Sequence, residues 1–221
     1  MKSKTSSQFH LLGKRALIIA NGEIPRKQTV EHLLNSVQLV VCADGGANAA
    51  LKYGIRPDAI VGDMDSIHTE TRVKFQKAAF VEILDDDATD LEKAIRWTIN
   101  HQFDHITVVG AMGKRLDHTC GNLGTLAKFY PDAVIVFVDD LGEVHYVGRE
   151  LSFEAPLRTT ISLIPLTRCE GVTTQGVRYA LTDETLEIGV REGTSNVVAS
   201  NPVKVVVQKG NLLLYKLLTR A

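Results

Sequence analysis

Disulfide-forming cysteine is nearly absent from this chain. Cys42, Cys120 and Cys169 are odd in number and far apart, and none lies in a CxxC spacing, which excludes a disulfide framework and a zinc knuckle. A reducing, cytoplasmic setting is the expectation that follows. Long apolar runs are also missing. No stretch approaches the ~20 residues needed to cross a bilayer, and the Lys- and Ser-rich residues 1–14 lack the apolar core of a signal peptide. No membrane partner is expected, and residues 1–14 read as a flexible leader. Charge of one sign is lacking too: 25 basic residues nearly balance 26 acidic ones, so the overall balance gives no electrostatic footprint for nucleic acid. Tryptophan occurs once, at Trp97. There is no internal repeat, low-complexity segment or long linker.

The 221 residues are ample for one large domain or two small ones. Two halves follow different patterns. From Arg15 to Asp140, short β-branched runs (ALII, LVVC, AIV, ITVVG, VIVFV) alternate with stretches of helical spacing, as in a mostly parallel α/β sheet of Rossmann-like type. Thr89 and Glu92 fit a capping box, and Leu91, Ala94, Ile95 and Ile99 then share one helical face. After about Gly148 the runs FEA, TTISLI, LEIGV, VKVVVQ and LLLYKLL are separated by Gly, Pro, Thr and Asn, which predicts an antiparallel β-sandwich. The expected organisation is an α/β domain over 15–145 and a β-sandwich over 146–221, with the change falling between Leu141 and Glu150.

Three acidic clusters, CADGG, VGDMDS and DDDATD, each stand where an apolar run gives way to polar residues. In an open α/β sheet those points are the carboxyl ends of strands, where ligands gather. Hard carboxylate oxygens suit Mg²⁺, which keeps waters and substrate phosphates in its remaining positions. Asp63 and Asp65 lie two apart after AIVG, and in an extended segment both would point to one side. Such a pair repels unless a cation joins it; the plainer alternative is an Asp-rich turn capping the next helix. Asp85, Asp86, Asp87 and Asp90 crowd a helix start more densely than capping requires, which points to a metal or polar substrate.

Gly110 to His118 follows the strand ITVV. Its glycines allow close phosphate approach and Lys114 or Arg115 can add charged hydrogen bonds, but the spacing is neither a P-loop nor GxGxxG, and Asp117 and His118 can equally be a cap and its neighbour. In CADGGAN, Gly45 and Gly46 permit either ligand approach or tight helix–sheet packing. His101 and His105 straddle a helix end and a strand and read as surface or structural residues.

Taken in order, ADGGAN at 43–48, PDAIVGDMDSI at 57–67, DDDATDLEKAI at 85–95, GxxGKRLDHT at 110–119, VTTQGVRYAL at 172–181 and GTSN at 193–196 closely resemble the thiamine pyrophosphokinase family, over about residues 16 to 217. The resemblance implies an N-terminal α/β domain, a C-terminal β-sandwich, and a homodimer with active sites between subunits. It implies Mg²⁺-dependent transfer of an intact diphosphate from ATP, the co-substrate, to the thiamine hydroxyl, giving thiamine diphosphate and AMP. By the same resemblance Asp63, Asp65 and Asp90 are metal ligands, and Arg115 and Asp117 join them in the catalytic set. Asp44, Gly45, Gly46, Arg115 and His118 lie on the nucleotide side, and Asp86, Asp90, Ser195 and Asn196 on the thiamine side. Asp90 is either a ligand or the acceptor of the hydroxyl proton. Two positions depart from the family pattern. Asp86 stands where many relatives have Gln within DQDxTD, and Tyr179 stands where eukaryotic relatives have Trp.

Two other functions fit parts of the pattern. One is diphosphate transfer to a different small alcohol, kept open by Asp86 and Tyr179. The other is a non-catalytic sensor of thiamine diphosphate or nucleotide, which would not need so many convergent carboxylates.

Overall fold

A computed structural model describes residues 13–218. Apart from Gly13 and Lys14, the expected leader lies outside the described residues. The chain forms two compact units that divide between Asp140 and Leu141.

The first unit contains β1 (Arg15–Ile19), α1 (Lys27–Leu34), β2 (Leu39–Ala43), α2 (Gly46–Tyr53), β3 (Ala59–Gly62), α3 (Thr69–Lys74), β4 (Ala79–Glu82), α4 (Asp90–Asn100), β5 (His105–Val109), α5 (Leu116–Phe129) and β6 (Val134–Val138). Its strands are parallel and run β6-β5-β1-β2-β3-β4. The chain steps outward from β1 to β4 and then returns to the other side of β1, so the strand order reverses between β1 and β5. Such a reversal leaves a crevice at the carboxyl ends of the strands.

Near-continuous apolar strands are what a sheet covered on both faces requires. Leu17, Ile19, Cys42 and Ile60 pack with Ala47 and Ala50 of α2 in one cluster. The alternating residues Ala16, Ile18, Val41 and Val61, also buried, point to the opposite face. α4 packs against β1, β2 and β3 and buries Leu91, Ala94 and Ile95. Its start follows the sequence: Thr89 accepts a hydrogen bond from the Glu92 amide at 3.3 Å. The reciprocal half of the box is missing, because the Glu92 carboxylate is paired with Lys128 at 2.7 Å. β4 had no counterpart among the expected strands; its AFVE lies at the sheet edge, exposed at Ala79 and Glu82 and half-buried at Phe80 and Val81.

The second unit contains β7 (Gly142–Tyr146), β8 (Glu150–Phe153), β9 (Thr160–Pro165), β10 (Cys169–Gln175), β11 (Glu184–Leu186), β12 (Gly193–Val197), β13 (Val203–Val206) and β14 (Leu212–Leu217). Two antiparallel layers, β12-β9-β14-β7 and β11-β10-β13-β8, enclose Ile161, Leu163, Val172, Leu186, Val203, Val205, Leu212 and Leu214. This is the expected β-sandwich. The units divide at 140/141, beside the expected change between Leu141 and Glu150, and β7 pairs along its whole length with β14, from Gly142↔Leu217 to Tyr146↔Leu213. GEVHY has too little apolar character to read as a strand alone.

Candidate active site

The acidic residues converge at the carboxyl ends of β2 and β3. Asp44 follows β2 with φ 38, and its amide donates to Val61 O of β3 at 2.9 Å. Asp63, Met64 and Asp65 follow β3. The extended geometry expected for this segment does not occur: Met64 has φ 69, and the Asp65 amide donates back to Asp63 Oδ1 at 3.2 Å. A tight turn, rather than a strand, brings the two carboxylates to one side. Asp44, Asp63 and Asp65 each offer an oxygen within 4.8 Å of the others.

Asp44 is the most constrained of them. It is 1% exposed. Its Oδ2 accepts from the Ser66 amide at 3.1 Å, while Oδ1 is buried with no hydrogen-bond partner. Burial raises its pKa above the ordinary 3.8, the Ser66 hydrogen bond opposes this, and the nearby Asp90 carboxylate adds to the rise. A buried carboxylate oxygen without a donor is costly, and a hard cation is the partner that would satisfy it. The donor set of three carboxylates at one point therefore fits Mg²⁺.

The fourth carboxylate is held differently. Asp90 opens α4, and its Oδ1 accepts from Lys93 Nζ at 3.3 Å; the same ammonium stands 3.9 Å from Asp63 Oδ2. Gly62 is the residue over which these groups meet, since a Cβ there would lie 2.6 Å from Asp44 Cβ and 3.1 Å from Asp90 Oδ1. Of the expected metal set, Asp63 and Asp65 thus gather with Asp44, and Asp90 is bonded to Lys93. Asp85 turns to Arg96 at 3.5 Å, and Asp86 and Asp87 are exposed.

At the crevice between β1 and β5, the loops are stitched together: Gly22 N donates to Gly110 O and Glu23 N to Met112 O, both at 2.7 Å, and Lys114 Nζ reaches Asn21 O at 2.7 Å. A Cβ on Gly46 would lie 2.1 Å from Ile19 O, and one on Gly45 would lie 2.5 Å from Asn21 Nδ2. Gly46 is therefore demanded by the close packing of α2 on the β1 backbone, whereas Gly45 faces the end of the Asn21 side chain. Arg115, at the N-cap of α5, is exposed and pairs with Asp117 in the first turn of that helix through Nε at 3.1 Å. That guanidinium holds the Asp117 carboxyl at about 2 and has its own pKa raised in return. His118 is exposed beside them.

In the second unit, Ser195 is exposed at φ 58. Asn196 is buried and uses its amide internally: Oδ1 accepts from the Tyr179 and Val197 amides, and Nδ2 donates to Tyr179 O at 2.7 Å. It braces the segment carrying Tyr179, a residue that is 59% exposed. Trp97 lies on α4 with its ring 3.8 Å from that of His101, so the two are packed on each other.

Sequence reasoning missed Asn21, Asn48, Ser66 and Lys93. Asn48 ties α2 to the next loop, donating to Ser66 O and accepting from His68 N and Thr71 Oγ1. The available signals were the Asn-Gly pair one residue after β1 and a lysine one turn beyond Asp90.

Carboxylates gathered at strand ends in an α/β unit, followed by a β-sandwich, place the chain among the phosphate-handling α/β proteins. The model of the thiamin pyrophosphokinase catalytic domain matches residues 30–138 and that of the thiamin pyrophosphokinase vitamin B1 binding domain matches residues 149–212. Thiamine pyrophosphokinase 1 of Arabidopsis thaliana is 30% identical over 230 residues, covering 90% of this chain and 84% of the relative. The crystal structure of thiamine pyrophosphokinase from Bacillus subtilis superposes with a TM-score of 0.79 at 26% identity, over 94% of this chain and all of the other. The Candida albicans enzyme shares the fold, with a TM-score of 0.81 at 19% identity over 93% and 89% of the two chains. The chain belongs to the thiamine pyrophosphokinase family.

Proposed function

We propose that the carboxylates at the ends of β2 and β3 are the centre at which this chain transfers diphosphate from ATP to thiamine. The protein is an ATP:thiamine diphosphotransferase, forming thiamine diphosphate and AMP. The observation that carries the site assignment is the convergence of Asp44, Asp63 and Asp65 with one buried, unpartnered oxygen. These three residues would hold Mg²⁺, which when bound neutralises charge on the diphosphate and helps orient it.

The chain's own residues account for the remaining needs of the reaction. The thiamine hydroxyl oxygen forms a bond to the β-phosphorus, the bond from that phosphorus to the α-phosphate bridging oxygen breaks, and AMP leaves with the electron pair. Asp90 takes the hydroxyl proton on the oxygen not bonded to Lys93. Arg115 meets phosphate oxygens by exchanging its exposed pairing with Asp117, a surface contact of little strength, for the more highly charged ligand. Ser195 binds thiamine from the β-sandwich of a second copy, so the working form is a homodimer; the exposed irregularity at Ser195 within β12 supports this. Asn196 contributes by holding the Tyr179 segment, and Tyr179 offers the exposed ring for stacking.

Free thiols at Cys42, Cys120 and Cys169 support a reducing, cytoplasmic setting. No helix among the described residues is long and apolar enough to cross a membrane.

The test is chromatographic separation of products from ATP, Mg²⁺ and thiamine, beside a variant carrying Asp63→Ala and Asp65→Ala. Equal amounts of AMP and thiamine diphosphate from the unmodified protein, and none from the variant, are expected. ADP with thiamine monophosphate would refute the single transfer, and full activity in the variant would refute the site.

A further inference from the structure

Met64, between Asp63 and Asp65, has φ 69, a conformation that L side chains rarely adopt. No glycine stands there to accept it without strain. Two hydrogen bonds that shape the segment use carboxylate oxygens: Asp65 N donates to Asp63 Oδ1 at 3.2 Å, and Ser66 N to Asp44 Oδ2 at 3.1 Å. A cation would draw on the same carboxylates, so these bonds alone cannot keep the turn shaped for it. Independent support comes from α2 and α3. Asn48 of α2 fixes the exit of the turn, donating to Ser66 O at 2.8 Å and accepting from His68 N at 3.0 Å. Arg72 of α3 holds the turn itself, since its Nη2 donates to Met64 O at 3.2 Å. Its guanidinium also lies over the Phe80 ring of β4, 5.4 Å from the ring centre, and β4 is the strand paired with β3. The ring and the carbonyl together fix where the guanidinium sits.

We propose that Arg72 is a positioning residue for the cation site: through Met64 O it keeps the left-handed turn in which Asp63 and Asp65 face one side, and so sets their affinity for a divalent cation. The inference rests on the reading of those carboxylates as cation ligands. Its sign separates it from a plain effect of charge. A guanidinium beside a divalent cation repels it, so on charge alone its removal would tighten binding. As a support for the turn, its removal must weaken binding, because the carboxylates then have to be ordered when the ion arrives.

Mn²⁺ binding to the full-length protein without nucleotide, followed by the paramagnetic resonance of the free ion, tests this without any turnover. Arg72→Met keeps an apolar stem against Phe80 but removes both donor and charge, and should weaken Mn²⁺ binding by about fivefold, the worth of about one hydrogen bond. Arg72→Lys retains a donor for Met64 O and should recover most of that loss. Lys74→Met removes a charge of the same sign from the same helix, where Lys74 is likewise exposed, and should leave Mn²⁺ binding unweakened.

Unchanged or tighter Mn²⁺ binding in a folded Arg72→Met protein, checked by circular dichroism, would overturn the proposal. A loss in Arg72→Lys as large as in Arg72→Met would overturn it too, as would an equal loss in Lys74→Met, which would mark a general effect of charge on α3. If Arg72→Met does not fold, Arg72→Gln, uncharged and shorter than arginine, takes its place with the same expected loss. No Mn²⁺ binding by the unmodified protein would instead overturn the cation-site reading, and the role given to Arg72 with it.

Discussion

Asp44→Asn should make the metal-free protein more stable while removing its metal response. In the folded chain one Asp44 oxygen is satisfied by Ser66 and the other is buried with nothing to accept from. Leaving a buried polar group unsatisfied costs about 1–3 kcal/mol, and more when it is charged. Asparagine fills the same space without the charge. Its oxygen can keep the Ser66 hydrogen bond, and its NH₂ donates where carboxylate oxygens already stand. A gain of about 1–3 kcal/mol is therefore expected in EDTA at pH 7, and each kcal/mol moves the melting midpoint by about 2–4 °C for a protein of this size. Saturating Mg²⁺ should reverse the order, since a ligand at a hundred times its dissociation constant stabilises the native state by about 2.7 kcal/mol and the variant has lost a ligand.

The pH dependence has a defined sign. The Asp44 carboxyl is raised above 3.8 by burial, so its contribution to stability is present below that value and is lost as pH rises through the folded-state value. The gap between the metal-free proteins should accordingly close in acid. Thermal unfolding of both proteins in EDTA and in Mg²⁺, at pH 7 and near pH 4, is the assay. An asparagine variant no more stable than the parent in EDTA at pH 7, or a gap that persists in acid, would refute the reasoning.

Glu143 of β7, held at about 2 by His145 and Lys216 against the cost of its burial, contributes stability that is present above about 4.5 and is lost as pH falls toward 2. Glu143→Gln should cost about 1–3 kcal/mol near neutrality, and denaturant titrations at pH 7 and pH 3 should show that difference shrinking in acid. Gly62→Ala introduces a Cβ 2.6 Å from Asp44 Cβ. It should cost about 1–3 kcal/mol by overpacking and, because two carboxylates must move, should lower Mn²⁺ affinity more than an equally destabilising change elsewhere; equal Mn²⁺ binding would show that the cluster tolerates the shift. Thr89→Ala removes the α4 cap and should cost about 0.5–2 kcal/mol, measurable by urea unfolding, while Thr89→Ser should restore most of it.

Local chemistry made much of this legible in advance. β-branched runs separated by helical spacing imply parallel strands with covered faces, and β1, β2, β3, β5 and β6 lie where those runs stand. Thr89 and Glu92 mark the start of α4 because capping involves neighbours in the chain. β4 and β7 were not legible, since neither AFVE nor GEVHY is apolar enough to announce itself, and each owes its strand conformation to a partner strand. The turn at Met64 was also hidden: alternation predicts an extended Asp63–Asp65 pair, and only a positive φ at a residue other than glycine produces the observed convergence.

The sequence by itself determined which residues are available for chemistry and the family they form, because both depend on residue type and order along the chain. The tertiary structure alone decided which carboxylates meet. Asp44 and Asp63 are brought together by parallel pairing of β2 with β3, whereas Lys93 captures Asp90 through one turn of α4 and reaches Asp63 only because α4 packs on β3. Contacts of that kind depend on sheet order and helix placement, which residue spacing does not encode.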